Sequence, residues 1–174
     1  SGIHSVRVSN PGNLFIKIGD EESLIIEAQG NLLDYIDSDV NDGRLTLKTV
    51  DSVSLRYIKS INYFLTVKSL DEINVSSSGD IHAPSLSSDI FSISVDSSGN
   101  VFLDELFSDK LEVNISSSGD VVIDSGKVKE QIVNISSSGD YSAEDLESQQ
   151  SRVNISSSGN AKLHVSEKLD ATIS

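Results

Sequence analysis

The 174-residue sequence has no cysteine, methionine or tryptophan, and only two prolines. Without cysteine, neither disulfides nor thiolate metal sites can form, so bridging says nothing about redox compartment. Basic residues are scarce: 13 Lys and Arg stand against 27 Asp and Glu, a formal net charge of −14 at pH 7. That balance opposes nucleic acid, anionic membrane surfaces and polyanionic sugars as partners, and it keeps a regular β surface soluble. No apolar run reaches the roughly 18 residues a membrane-spanning helix needs. No signal peptide is visible, yet the chain opens Ser1-Gly2 without Met, as a processed chain would, which leaves room for a targeting segment removed earlier.

Catalytic equipment is equally sparse. Arg152 is the only arginine in the second half, too little cation for a polysaccharide lyase. His4, His82 and His164 stand alone, without ligand or triad spacing, and read as surface residues. Serine is abundant, but no Gly-x-Ser-x-Gly elbow occurs. Aromatic residues make up 5% of the chain, so the flat Trp and Tyr platforms that bind sugars find little support.

What the sequence does contain is a repeat. Val133-Asn134-Ile135-Ser136-Ser137-Ser138-Gly139-Asp140 has near-copies that place Gly79, Gly99, Gly119, Gly139 and Gly159 in step at 20 residues. Strict periodicity marks a solenoid in which each repeat is one unit stacked on the last. Apolar columns flank the Asn, Ile73 to Val153 and Val75 to Ile155, while Asn74, Ser94, Asn114, Asn134 and Asn154 face out. After the Gly, Ile81 to Ala161 and Ala83 to Leu163 alternate again, followed by a third inward position at Leu86, Leu106 and Leu146, with lapses at Gly126 and Ser166. Twenty residues are too few for a strand–helix–strand crossover, so each repeat reads as one coil: strand, tight Ser-Ser-Ser-Gly turn, strand, short return. The expected fold is all-β, a single-stranded parallel β-helix with coils stacked at about 4.8 Å and positive φ at the Gly corner.

Residues 1–68 lack the obvious repeat but are strand-rich, and read as a mixed or antiparallel module capping the solenoid of residues 69–174. Val6 and Val8, Leu14 to Ile18, Leu24 to Ala28 and Tyr63 to Val67 are strand candidates, as are Val53, Leu55 and Tyr57. Asn41-Asp42-Gly43 between Tyr35 and Val50 predicts a hairpin with positive φ at Asp-Gly. Leu32 to Ile36 could be a short helix, though its β surroundings outweigh that. At the other end Ala171-Thr172-Ile173-Ser174 falls on Ser151 to Asn154 at the 20-residue period. A sixth strand thus starts and stops mid-coil, and the expectation is that the native chain continues or that another molecule, such as a second copy, covers this edge.

The Ile/Val-Asn-Ile-Ser-Ser-Ser-Gly-Asp repeats and the Val40 to Leu47 segment resemble the GIN-domain family of auto-transporter adhesin head domains. The likeness covers nearly the whole chain, with Ser77, Ser97, Ser117, Ser137 and Ser157 standing where the family usually has glycine. It implies a right-handed β-helix on a bacterial secreted or envelope-anchored protein, with adhesion as the proposed role and no catalytic residues to carry over.

Repeats create ladders that resemble sites. Asp80, Asn100, Asp120, Asp140 and Asn160 stack one coil apart, and Ca²⁺ between Asp80, Asp120 and Asp140 would relieve carboxylate repulsion. The simpler reading is that each side chain completes its corner by accepting backbone N–H groups. Asp104, Asp124 and Glu144 form a second acidic column, whose spacing approaches the roughly 5–5.5 Å of a retaining glycosidase pair. No graded surroundings set one carboxyl apart, so a solvated face is the simpler account. Four Asn-x-Ser acceptor triplets arise from one repeated unit and count once. The favoured reading is a non-catalytic surface adhesin or scaffold for a glycan or protein ligand, without resident cofactor. A glycoside-hydrolase-type enzyme and an end-to-end self-assembling module are the alternatives.

Overall fold

The computed structural model describes residues 2–30, 32–50 and 61–174. The Val53, Leu55 and Tyr57 strand candidate lies outside the described residues. The described chain is all-β, with one 3₁₀ turn at Leu33–Tyr35. That turn falls where a short helix had seemed outweighed, and it leads straight into the capping hairpin.

The strands are β1 (Ser5–Val8), β2 (Asn13–Ile18), β3 (Ser23–Glu27), β4 (Ile36–Asn41), β5 (Arg44–Thr49), β6 (Asn62–Val67) and β7 (Glu72–Val75). They continue with β8 (Ile81–Val95), β9 (Val101–Ile115), β10 (Val121–Ile123), β11 (Gly126–Ile135), β12 (Tyr141–Ile155) and β13 (Ala161–Ile173). All join one 13-stranded sheet wound into a solenoid of about 20 residues per turn. The expected short return is not a separate segment in three of the coils: β8, β9 and β12 each run 15 residues through the bend. Pairing is parallel and in register, Ile73 with Ile93, Ile93 with Val113 and Val133 with Val153. The inward columns close into one core from Val6 to Ile155.

The N-terminal strands correct the sequence reading. Val6-Arg7-Val8-Ser9-Asn10-Pro11-Gly12-Asn13-Leu14 is itself a diverged copy of the repeat. Val6 pairs with Ile73, Val8 with Val75 and Leu14 with Ile81, all in parallel. This coil sits between the β7–β8 coil on one side and β5 and β6 on the other, with Val6 opposite Leu45 and Leu14 opposite Tyr63. The chain therefore enters the stack one coil inside its end. That end is closed by two antiparallel strands, β3 on β6 and β4 on β5. These two strands cover the outermost parallel strands and form the edge of the sheet at this end. The β4–β5 turn is the expected one, with Asp42 at φ 48° and Gly43 at φ 78°.

The corner glycines do not need positive φ, contrary to expectation: among the described glycines only Gly43 and Gly126 adopt it. Space is the reason instead. A Cβ at Gly99, Gly119, Gly139 or Gly159 would overlap the carbonyl oxygen of the glycine one coil before, and at Gly79 that of Gly12. The corners stack this closely because Gly99, Gly119, Gly139 and Gly159 each donate N–H to a serine carbonyl of the preceding coil, at 3.0–3.1 Å.

The last coil also differs from a strict 20-residue period. Two register shifts in the β12–β13 pair bring Ala171 opposite Val153 and Ile173 opposite Ile155. This places Ala171-Thr172-Ile173 on the inward-outward-inward pattern of Val153-Asn154-Ile155 rather than two positions out of step.

Candidate functional site

Outward-facing ladders run the length of the rod, and three share one sheet face. The corner ladder begins earlier than the sequence suggested. Asp80 donates its backbone N–H to Asn13 Oδ1 at 3.1 Å, Asn100 to Asp80 Oδ1 at 3.0 Å and Asp120 to Asn100 Oδ1 at 2.9 Å. Asp140 then donates to Asp120 Oδ1 at 2.8 Å and Asn160 to Asp140 Oδ1 at 2.9 Å. Asn100 and Asn160 add side-chain bonds to the carboxylate before them. Each Oδ1 thus caps the next coil, as the simpler reading of this column expected. Among the described residues no three acidic or histidine side chains converge in a way that could hold a metal ion.

Asp104, Asp124 and Glu144 follow the inward residues Leu103, Ile123 and Ala143, and all three are exposed. Glu144 faces Lys162 Nζ at 3.9 Å. The column lies on the open outer face, where water solvates each carboxylate.

Beside these acids the structure assembles a feature that the sequence reading missed. Phe64, Phe15, His82 and Phe102 occupy one outward column on β6, β2, β8 and β9. Their rings stack in series, with centroids 5.3, 5.1 and 4.9 Å apart and interplanar angles of 17°, 7° and 12°. Ile25 pairs with Phe64 at one end and Val122 with Phe102 at the other, extending the apolar stripe. His82 is therefore no isolated surface residue but a rung between two phenylalanines. Half of the signal was available in the 20-residue step from His82 to Phe102. The rest depends on recognising residues 6–14 as a coil.

On the opposite sheet face, Asn154 donates to Asn134 Oδ1 and Asn134 to Asn114 Oδ1, each at 2.9 Å, an amide ladder on the outward Asn column. Near the capped end that face holds a polar pocket of about 470 Å³ that includes Arg7, Arg44 and Glu72. Arg44 Nη2 lies 2.7 Å from Glu72 Oε2, and Ser5 donates to the same oxygen at 2.8 Å. Partial burial alone would raise the Glu72 carboxyl, but the hydrogen bonds from Arg44 and Ser5, with the arginine charge, outweigh it and hold the group below its ordinary value.

The core itself contains a polar cluster at its far end. Tyr141 donates to Gln131 Oε1 at 2.9 Å, and Gln131 Nε2 donates to Ser148 Oγ at 2.7 Å. Ser148 in turn reaches Ser151 Oγ and the His164 carbonyl. Burial raises the phenol of Tyr141 far above its ordinary value, and it raises Tyr63 as well, against a lowering hydrogen bond from Asn10. These groups are sealed inside the coil and set its packing rather than meeting a ligand.

The family model described as "putative auto-transporter adhesin, head GIN domain" matches residues 3–174. No curated protein matches. A putative adhesin from Bacteroides fragilis superposes with a TM-score of 0.86 at 20% identity, covering 99% of this chain and 92% of that one. A putative adhesin from Parabacteroides merdae gives 0.68 at 17%, covering 100% and 91%. A structure described as a putative lipid binding protein from Parabacteroides distasonis gives 0.70 at 18%, covering 99% and 92%. At these identities the structures establish a shared fold. The family match spans almost the entire chain, which therefore belongs to the head GIN-domain family of adhesin-like proteins.

Proposed function

We propose that this chain is a non-catalytic adhesin head domain that acts outside the cytoplasm, at the cell surface or in secreted form, with a glycan or protein as its ligand. The observation that carries this reading is the outward-facing stack of Phe64, Phe15, His82 and Phe102, exposed at Phe64 and His82 and half-buried at Phe15 and Phe102, on a rod whose interior is filled by coil packing. A rod of this kind has little room for an enclosed active site, and its ligand-facing resource is its long outer surface. The family match supports a surface location. Among the described residues no helix is long and apolar enough to cross a membrane.

The test is a screen of the purified chain on glycan and extracellular-protein arrays, with and without Ca²⁺, with reducing-end release assayed in parallel. Lipid spots belong on the same array, since one relative of this fold is described as lipid binding. Specific binding without turnover is the expected result. Release of reducing ends would move Asp104, Asp124 and Glu144 from bystanders to catalysts, and silence on every array would remove the adhesin reading.

A further inference from the structure

The coil of residues 121–140 breaks the leucine column that the coils on either side of it keep. Where Leu106 and Leu146 point inward, the coil between them has Gly126, paired to both. The strand breaks just before it, and Gly126 takes a φ of 128°, in the region that favours glycine. A Cβ there would overlap the Leu106 carbonyl oxygen. Two residues on, Val128 is buried like Ser148 of the next coil, whereas Ser88 and Ser108 earlier in the same column stay half-buried. The surface beside Val128 is a groove of about 500 Å³. Small-ligand sites typically fall in the range of about 300–1,000 Å³.

Phe107 stands in this groove 44% exposed, its ladder neighbours being Ser87 and Lys127 rather than other rings. The neighbouring coils stack with leucine in this column, and coil stacking does not require a phenylalanine kept in water. Local breaks in an otherwise consistent pattern are where function is expected.

We propose that the groove over Phe107 binds a neutral glycan, with the C–H face of one sugar ring on the phenylalanine and the surrounding polar side chains on its hydroxyls. The proposal rests on the adhesin reading and names its ligand. Charge argues for neutrality: Lys127 and Lys129 balance Asp89 and Asp109 here, in a chain whose net charge is −14. Lys129 Nζ lies 2.6 Å from Asp109 and Lys127 Nζ 3.3 Å from Glu147, which fixes these groups as hydrogen-bonding partners rather than free charges. An acyl chain would need apolar walls, but apart from Phe107 and Val128 the lining is hydroxyl, amide and charged. A peptide adding as a strand would need an open edge, yet β9 is already paired to β8 and β11, and β11 to β9 and β12.

The test is a carbon–proton NMR titration of the whole chain, labelled at Phe and Val, with neutral hexasaccharides of gluco, galacto, manno and xylo configuration at up to millimolar concentration. At least one should shift Phe107 and Val128 saturably. Phe107→Ala should weaken that binding about tenfold or more, the loss of one aromatic platform. Phe107 is solvent-facing, so this variant keeps its fold, while Lys48→Ala on the capping hairpin should leave binding unchanged. Shifts confined to Phe15, Phe64 and Phe102, no shift with any sugar, or a groove that answers only a fatty acid would each overturn the proposal. Array binding to proteins with a silent groove would remove the glycan assignment and leave the adhesin reading standing.

Discussion

Asn13 accepts the backbone N–H of Asp80 at 3.1 Å, across 67 residues of sequence. That bond is the first rung of the corner ladder, and it ties the N-terminal coil into the stack. Each rung is a side chain to backbone hydrogen bond, partly buried in all but the last, with a net value of about 0.5–1.5 kcal/mol. Asn13→Ala and Asp120→Ala should each cost about 1 kcal/mol in urea unfolding. Asp120→Asn should be close to neutral, because Asn13 and Asn100 fill the same role. Millimolar Ca²⁺ should leave the Tm of the wild-type chain unmoved, and a rise abolished by Asp120→Asn would instead assign a metal to this ladder.

The corner glycines give a sharper contrast. At Gly119 an alanine methyl would enter the space of the Gly99 carbonyl oxygen, with no flexible side chain to move aside. At Gly30 nothing among the described residues lies within 4 Å of the same methyl. Gly119→Ala should therefore cost about 1–3 kcal/mol or more from overpacking, and Gly30→Ala should stay within about 0.5 kcal/mol of wild type. Chemical denaturation of the pair separates a spatial requirement from the loss of backbone freedom, which both variants share.

These corners also show what was legible in the sequence. The coil could be read because one unit recurs without insertion and its apolar columns alternate, as a strand requires. The first coil could not, because residues 6–14 precede their next copy by 67 residues rather than 20, and Asn10-Pro11 replace two of the three serines. With that coil hidden, Phe15 had no column, and the aromatic stack dissolved into scattered residues. The role of glycine was inferred from turn chemistry, when the governing fact is contact between coils, which a single chain segment does not display. Gly126 was visible as a lapse. The groove near it depends on Phe107 remaining in water, which does not follow from periodicity.

Glu72 links stability to acid. Its carboxyl is held below its ordinary value of 4.5 in the folded chain. The folded state thus favours the ionised form, and the associated stability is present above about pH 4.5 and lost as pH falls through the depressed value. Solvent screens this partly exposed pair, so its share is modest. Urea midpoints at pH 7 and pH 3 should fall further for the wild-type chain than for Glu72→Gln, and equal falls would remove Glu72 from the acid response.

The buried phenols act at the other end of the pH scale. Tyr63 and Tyr141 have raised pKa values from burial, so both stay neutral in the folded chain above the ordinary value of 10.0. An unfolded chain would ionise there, so their contribution is complete below about pH 10 and is lost as pH rises beyond it. In an absorbance titration at the phenolate band, these two of the four tyrosines should ionise only together with loss of β-sheet circular dichroism. Smooth titration of all four before unfolding would contradict their burial.

The aromatic stack allows a graded experiment. Phe15 lies between Phe64 and His82, whereas Phe102 has His82 as its one stacked ring. A stacked pair contributes about 0.5–1.5 kcal/mol beyond the area it buries. Phe15→Ala breaks two such contacts and Phe102→Ala one, so the first should lower stability by about 0.5–1.5 kcal/mol more than the second. The two positions also differ in where they sit. Phe15 belongs to the coil that enters the stack out of sequence order, so loosening it frees β2 from β6 and β8 together. Hydrogen exchange should then show lost protection in both neighbours of β2 for Phe15→Ala, and a loss confined to β8 and β9 for Phe102→Ala. Equal destabilisation with the same exchange pattern in both variants would mean that the rings share a column without supporting one another.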